Sequence, residues 1–129
     1  MNADTAMLHA QNYGELTQGV SAGLGALRAD APAMMKGFAD LGRAAMAEGV
    51  LDKKTKELIA VALSVAARCD PCIGFHVQGL VKLGASRQEL DEVLGVAVYM
   101  GGGPSLMYAA DAITAWQQCN APVEDPVAG

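Results

Sequence analysis

The sequence predicts a single all-α domain of about six helices, on three observations. Apolar residues recur at steps of three and four through most of the chain, and no segment alternates with the period of two that a half-buried strand requires. Helix-start chemistry recurs at intervals: Asp52, Asp70 and Ser86 each precede an apolar run, and Pro32, Pro71 and Pro104 each stand where a first helical turn can take a proline. The 129 residues fill one domain, and only 5% of them are aromatic, so alanine and glycine set how closely the helices approach.

Taken in order, residues 5–28 form a weakly patterned first helical segment interrupted by glycines at 14, 19, 23 and 25. From Pro32, the residues Met34, Met35, Phe38, Leu41, Ala45 and Met46 keep helical spacing until Gly49. Asp52 caps the next run, Leu58 to about Ala67, and Arg68 at its end complements the negative pole of the helix dipole. Asp70 is the expected cap of a fourth segment, with Pro71 in its first position, running through Ile73, Val77, Leu80 and Val81 to a stop near Gly84. Ser86 and Glu89 form a capping box that opens a fifth, through Leu90, Val93, Leu94, Ala97, Val98 and Tyr99. The glycines at 101–103 break the chain, and Pro104 starts a last helix ending near Gln118. The expected organisation is an N-terminal helical extension over 1–31, a core over 32–118 and a flexible tail over 119–129.

The charge balance excludes some functions. A net charge of −5 with nine scattered basic residues argues against binding nucleic acid, which draws its affinity from clustered Lys and Arg. The start lacks a basic, then apolar, leader, and the apolar run 58–67 is too short to cross a bilayer, so a cytoplasmic location without a membrane partner is expected. Residues of the hydrophobic set make up 52% of the chain, and the segment from Val93 to Ala110 is nearly free of charge. It reads as two buried helix pieces, part of whose surface meets another subunit, because a chain of this size covers its apolar residues poorly alone.

The chemistry concentrates in Cys69-Asp70-Pro71-Cys72-Ile73-Gly74-Phe75-His76. With a helix starting here, both sulfurs meet at its N-terminus, where free amides and the dipole favour a thiolate. His76 follows Cys72 by one turn on the same face and can carry a proton to or from the sulfur. Glu57 is the candidate to orient that imidazole: in an antiparallel pair with its turn near 66–67, positions 57 and 76 face each other. It lies roughly 18 Å along its helix from Cys69, so it would act through His76 or a water. Three readings of the cysteines stay open on spacing alone: a redox pair, a zinc site using Cys69, Cys72, His76 and a further ligand such as Cys119 or Glu57, and two inert thiols. A thioredoxin-like site does not fit, since its motif follows a strand.

Glu57, eleven intervening residues, then Cys69-x-x-Cys72-x-x-x-His76 resembles the signature of the alkylhydroperoxidase D-like branch of the carboxymuconolactone decarboxylase family. Residues 49–59, Leu83-Gly84-Ala85-Ser86 with Glu89, and Gly102-Gly103-Pro104 resemble the family's lead-in, next helix start and closing turn, so the likeness runs from about Pro32 to Trp116. The resemblance implies an all-helical fold assembled as a homo-oligomer, a trimer or hexamer with sites near subunit contacts. It implies a dithiol peroxidase without metal or organic cofactor: Cys72 meets the hydroperoxide, Cys69 resolves the sulfenic acid as a disulfide, Glu57 and His76 relay protons, and a thiol or dithiol protein restores the pair. Pro71 stands where the best-known members have histidine, and Asp70 adds a negative charge beside Cys69; both argue for a lower peroxidase rate. The alternative is a decarboxylase-like lyase or a helical binding protein whose cysteines are incidental.

The remaining polar and sulfur-bearing residues have plainer readings. His9 is expected in solvent, Cys119 as an unpaired thiol, and Met34, Met35, Met46, Met100 and Met107 as core and interface filler. Tyr99, Tyr108 and Trp116 are expected to pack or meet a subunit, and Arg68 could also help Cys69 ionise. Ser64 is expected either within the relay or bonded to the backbone one turn back.

Overall fold

The computed structural model describes residues 11–121. His9, the start of the first segment and the tail beyond 121 lie outside them. Six helices follow one another: α1 Tyr13–Asp30, α2 Pro32–Met46, α3 Lys53–Ala66, α4 Asp70–Lys82, α5 Arg87–Gly101 and α6 Gly103–Cys119. No strand occurs among the described residues. None of the helices is long and apolar enough to cross a membrane.

Helices α3 to α6 pack on one another around the core, with α1 laid across α4 and α2 touching only α1 and α3. Val61 and Val65 of α3, Ile73, Val77 and Leu80 of α4, and Leu90 of α5 are fully buried. Each such side chain contributes about 1.5–3 kcal/mol by leaving water. Opposite them α6 presents Ala109, Ala112 and Ala115, all buried, so its backbone lies close to its neighbours.

The helix starts explain the register. Asp52 accepts the Thr55 amide at 2.7 Å, and the Ser86–Glu89 capping box forms in both directions, at 3.1 and 2.9 Å. Lys54 Nζ reaches Glu89 Oε2 at 2.9 Å and joins the starts of α3 and α5. The Ser86 amide and Lys54 together hold the Glu89 carboxyl below its usual range. Lys56 donates to the carbonyls of Ala45 and Ala47, at 2.9 and 2.7 Å, and so satisfies the end of α2. Gly84, just past the end of α4, has a φ of 76°, and Gly102, the only residue between α5 and α6, has 70°. Both are conformations that a side chain would strain.

Several expectations need correction. The cap of α4 is Cys69, not Asp70: the Cys69 sulfur accepts the Cys72 amide at 3.3 Å, while the Asp70 carboxylate turns to the hydroxyl of Tyr13. Helix α2 stops at Met46, ahead of Gly49, and α3 ends at Ala66 with Arg68 just past its end. The apolar stripe of α2 does not enter the core: Met34, expected as core or interface filler, is exposed together with Phe38 and Leu41, and no element among the described residues covers them. The 93–110 stretch is buried on one face only. Leu94, Ala97, Ser105 and Ala109 point inward, while Val96, Tyr99, Met100, Leu106 and Met107 face outward. Tyr108 and Trp116 do pack against the core.

Helix α1 packs closely on α4 at Gly74. A Cβ added at Gly74 would lie 2.7 Å from Thr17 Cγ2 and 3.2 Å from Tyr13 Cδ1. Gly74→Ala should therefore destabilise the fold by about 1–2 kcal/mol in chemical denaturation, despite the better helix propensity of alanine. Thr17→Ser, which removes the Cγ2 methyl and keeps the hydroxyl, should recover part of that loss. An unchanged midpoint for Gly74→Ala would mean that α1 does not sit this close to α4.

Candidate functional site

The site begins at the turn between α3 and α4. Ala67 is the C-cap of α3, Arg68 takes the left-handed conformation at φ 58°, and Cys69 follows. The Arg68 amide bonds the Val65 carbonyl and the Cys69 amide bonds the Ser64 carbonyl, both at 3.1 Å. This is the paired closure of a Schellman motif, with an arginine where glycine is usual. The turn is short enough that Cys69 serves at once as the residue ending α3 and the cap beginning α4.

Cys69 and Cys72 are joined as a disulfide, their alpha carbons 5.2 Å apart. The Cys72 amide points at the Cys69 sulfur, so in the dithiol state a thiolate at position 69 would find a donor already in place. One turn further along α4, His76 Nδ1 bonds Glu57 Oε1 across the α3–α4 pair. With the carboxylate accepting from Nδ1, the imidazole keeps Nε2 free as a proton acceptor. The Glu57 side chain is 14% exposed and that of His76 36%, so the carboxylate stands behind the ring and the ring faces outward. Gly79, one turn past His76, makes room for this: a Cβ there would come within 3.0 Å of the Glu57 carboxyl.

The structure thus brings together the pairs expected from sequence, Cys69 with Cys72 and Glu57 with His76. Ser64 does not join them; its hydroxyl bonds the Ala60 carbonyl at 2.7 Å, the backbone alternative. Cys119 is the free cysteine among the described residues. It lies at the far end of α6 on a cavity of about 710 Å³ shared with Tyr13 and Gln78, and burial pushes its thiol above the ordinary range. No group of three or more His, Cys, Asp or Glu side chains among the described residues is arranged to hold a metal ion. A second, open hollow of about 610 Å³ is lined by Arg43, Lys53, Glu57 and Leu83, among others, and reaches the carboxylate from the α2 side.

Sequence reasoning missed Tyr13, whose hydroxyl donates to Asp70 Oδ1 at 3.1 Å. The signal was present in Asn12 and Glu15: the Asn12 side chain accepts the Glu15 amide at 2.9 Å and fixes the start of α1. Gly79 was missed because a glycine within a helix does not reveal what occupies the space it leaves.

An all-helical bundle with a cysteine pair capping one helix and a carboxylate–imidazole pair one turn below it defines a class of protein, and comparison with known proteins gives the family. The carboxymuconolactone decarboxylase family profile matches residues 32–115. A family member from Legionella pneumophila, solved as the apo protein, is 55% identical with a TM-score of 0.82, over 83% of this chain and 96% of that one. A family member from Thermotoga maritima is 30% identical with a TM-score of 0.72, over 79% and 87%. An uncharacterized protein of Cupriavidus necator is 43% identical over 75% of this chain and 86% of its own length. The chain belongs to the carboxymuconolactone decarboxylase family.

The disulfide makes a simple thiol count informative. Of three cysteines in the chain, one should react with a thiol reagent in the unfolded, oxidised protein, and all three after reduction with dithiothreitol. Three reactive thiols without reductant would show that Cys69 and Cys72 do not pair under those conditions.

Proposed function

We propose that this protein is a cytoplasmic dithiol-dependent peroxidase-like oxidoreductase of the alkylhydroperoxidase D-like branch. The observation that carries the reading is the disulfide-bonded Cys69–Cys72 pair at the start of α4, with His76 one turn further along that helix and paired to Glu57 of α3. A role in an antioxidative response has been suggested for the Thermotoga neighbour, which supports the same direction.

In this reading His76 takes the Cys72 proton through Nε2, held in place by the carboxylate of Glu57. The Cys72 thiolate attacks the distal peroxide oxygen, the O–O bond breaks, and the alkoxide leaves as an alcohol with the proton returned by His76. Cys72 is then a sulfenic acid. The Cys69 thiolate attacks that sulfur, the S–O bond breaks, the hydroxide leaves as water with the proton that the Cys69 thiol gave up, and the disulfide forms. A thiol or dithiol protein reduces it by exchange, giving two thiols back to this chain and keeping the disulfide itself. The Cys72 amide directed at Cys69 suits the second step, since it favours the thiolate of the resolving sulfur.

Peroxide consumption with a dithiol donor tests this directly. Cys72→Ser should abolish turnover. Cys69→Ser should permit a single oxidation per chain and form no intramolecular disulfide. Glu57→Gln preserves shape and removes charge, and should slow turnover on the order of 10²-fold with an unchanged melting temperature. Full activity in both cysteine variants would place the reaction elsewhere and favour a lyase or a binding role.

The same reading includes a homo-oligomer, a trimer or hexamer. Its support is the outward apolar residues Met34, Phe38 and Leu41 on α2 and Tyr99, Met100 and Met107 at the α5–α6 junction, more than a single chain ordinarily leaves to water. Light scattering at micromolar concentration should give at least three times the chain mass, and Phe38→Glu should shift the distribution toward monomer. A stable wild-type monomer would count against the assembly.

A further inference from the structure

We infer that Tyr13 is a positioning residue for the Cys69–Cys72 pair, acting through Asp70 from a helix that precedes the matched family core. The inference rests on reading that pair as a working dithiol, but not on the identity of its oxidant.

Asp70 occupies the first turn of α4, directly after Cys69. In the reduced protein its carboxylate competes with a cysteine thiolate for the same amides and the same positive helix end, and the two negative charges repel. Where the carboxylate points therefore decides how readily the thiols ionise. Its partner is the hydroxyl of Tyr13, which donates to Oδ1 at 3.1 Å.

Tyr13 is held there from every side. It is 2% exposed, and its ring lies against the bare backbone of Gly74. Its amide donates to Gln118 Oε1 at 2.8 Å, and the Gln118 side-chain nitrogen reaches back to the Gln11 carbonyl at 2.6 Å. This clamps the start of α1 to α6, while the adjacent turn is fixed to α4 through Thr17, whose hydroxyl accepts from Gln78 Nε2 at 3.2 Å. Asp111 of α6 acts on the same cluster: burial first, then Asp70, pushes its carboxyl above the usual range. Burial, Asp111 and Asp70 push the Tyr13 phenol well above its ordinary value, which keeps it a neutral donor. The hydrogen bond draws the charge of Asp70 toward α1 and disperses it, away from the sulfurs. Without the hydroxyl the carboxylate is free to turn toward the amides at the start of α4.

The test is a double-mutant cycle on the reduced protein in a Cys119→Ser background, reading the rate of alkylation by iodoacetamide at pH 7, with the modified cysteine identified by peptide mass. Asp70→Asn should accelerate alkylation about three- to tenfold, the effect of removing one nearby negative charge. Tyr13→Phe keeps the ring and its packing and should slow alkylation about two- to fivefold, by freeing that charge. In the Asp70→Asn background, Tyr13→Phe should change the rate by less than about 1.5-fold, because the hydroxyl no longer has a carboxylate to hold. A merely structural tyrosine would slow or speed both backgrounds alike, and that result overturns the inference. So does an unchanged rate in Tyr13→Phe, or an Asp70→Asn protein that alkylates no faster, the latter a measurement independent of whether Tyr13→Phe folds. Thiol alkylation needs no peroxide, so failure here leaves the peroxidase reading intact, and inactivity toward every hydroperoxide leaves this cycle readable.

Discussion

The turn at 67–69 is the constraint on which the rest of the site depends. It reverses the chain within three residues, through two backbone hydrogen bonds and one left-handed residue, Arg68. Because the reversal is so short, α3 and α4 lie antiparallel in a fixed register, and that register sets Glu57 opposite His76. The same turn delivers Cys69 to the cap of α4, where its sulfur takes the amide of Cys72. One local closure thus fixes both the pairing of the sulfurs and the pairing of the acid with the imidazole. A left-handed conformation costs a non-glycine residue roughly 1–2 kcal/mol, so the turn is held by what surrounds it: Val61, Val65, Ile73 and Val77 are buried on either side.

From this hairpin the molecule is asymmetric. On one side α4 is braced by α1, with Gly74 bare against Thr17 and Tyr13, and by the alanines of α6. Close packing there leaves little freedom in the backbone that carries the disulfide. On the other side the Glu57–His76 pair opens outward, its imidazole the more exposed member, and α2 contributes a loosely attached wall with no buried residue. A site that must bring a proton acceptor to a reactive sulfur benefits from this division: the groups are positioned by a rigid scaffold, and the approach to them is left clear.

The apolar surface follows from the same economy of small residues. The core is built from alanines and valines with Tyr13, Ile73, Leu80, Leu90 and Leu94, and the large side chains Phe38, Leu41, Tyr99, Met100 and Met107 remain outside it. These five lie on α2 and around the α5–α6 junction, and further exposed apolar residues, Leu27 and Leu63 among them, lie on α1 and α3. No further helix among the described residues covers them.

The sequence by itself determined the helical class, the helix starts at Asp52 and Ser86, the reversal before Cys69, and the grouping of Glu57, Cys69, Cys72 and His76, because each depends on residues close in the chain or on the arithmetic of one hairpin. Capping, periodicity and a two-helix register are local physics, and local physics is legible in a string of residues. What only the tertiary structure decided are the relations between distant segments. Asp70 looked like a cap because aspartate favours that position; it is not the cap because Tyr13, far off in sequence, supplies its carboxylate with another partner. The stripe on α2 had the spacing of a core face, yet spacing states only that a helix has an apolar side and not that the same chain will cover it. Gly74 and Gly79 read as interruptions of helix propensity, and their use lies in the side chains of Thr17, Tyr13 and Glu57 that fill the space. Packing pairs residues by distance, and a linear pattern holds no record of which distant side chain will arrive.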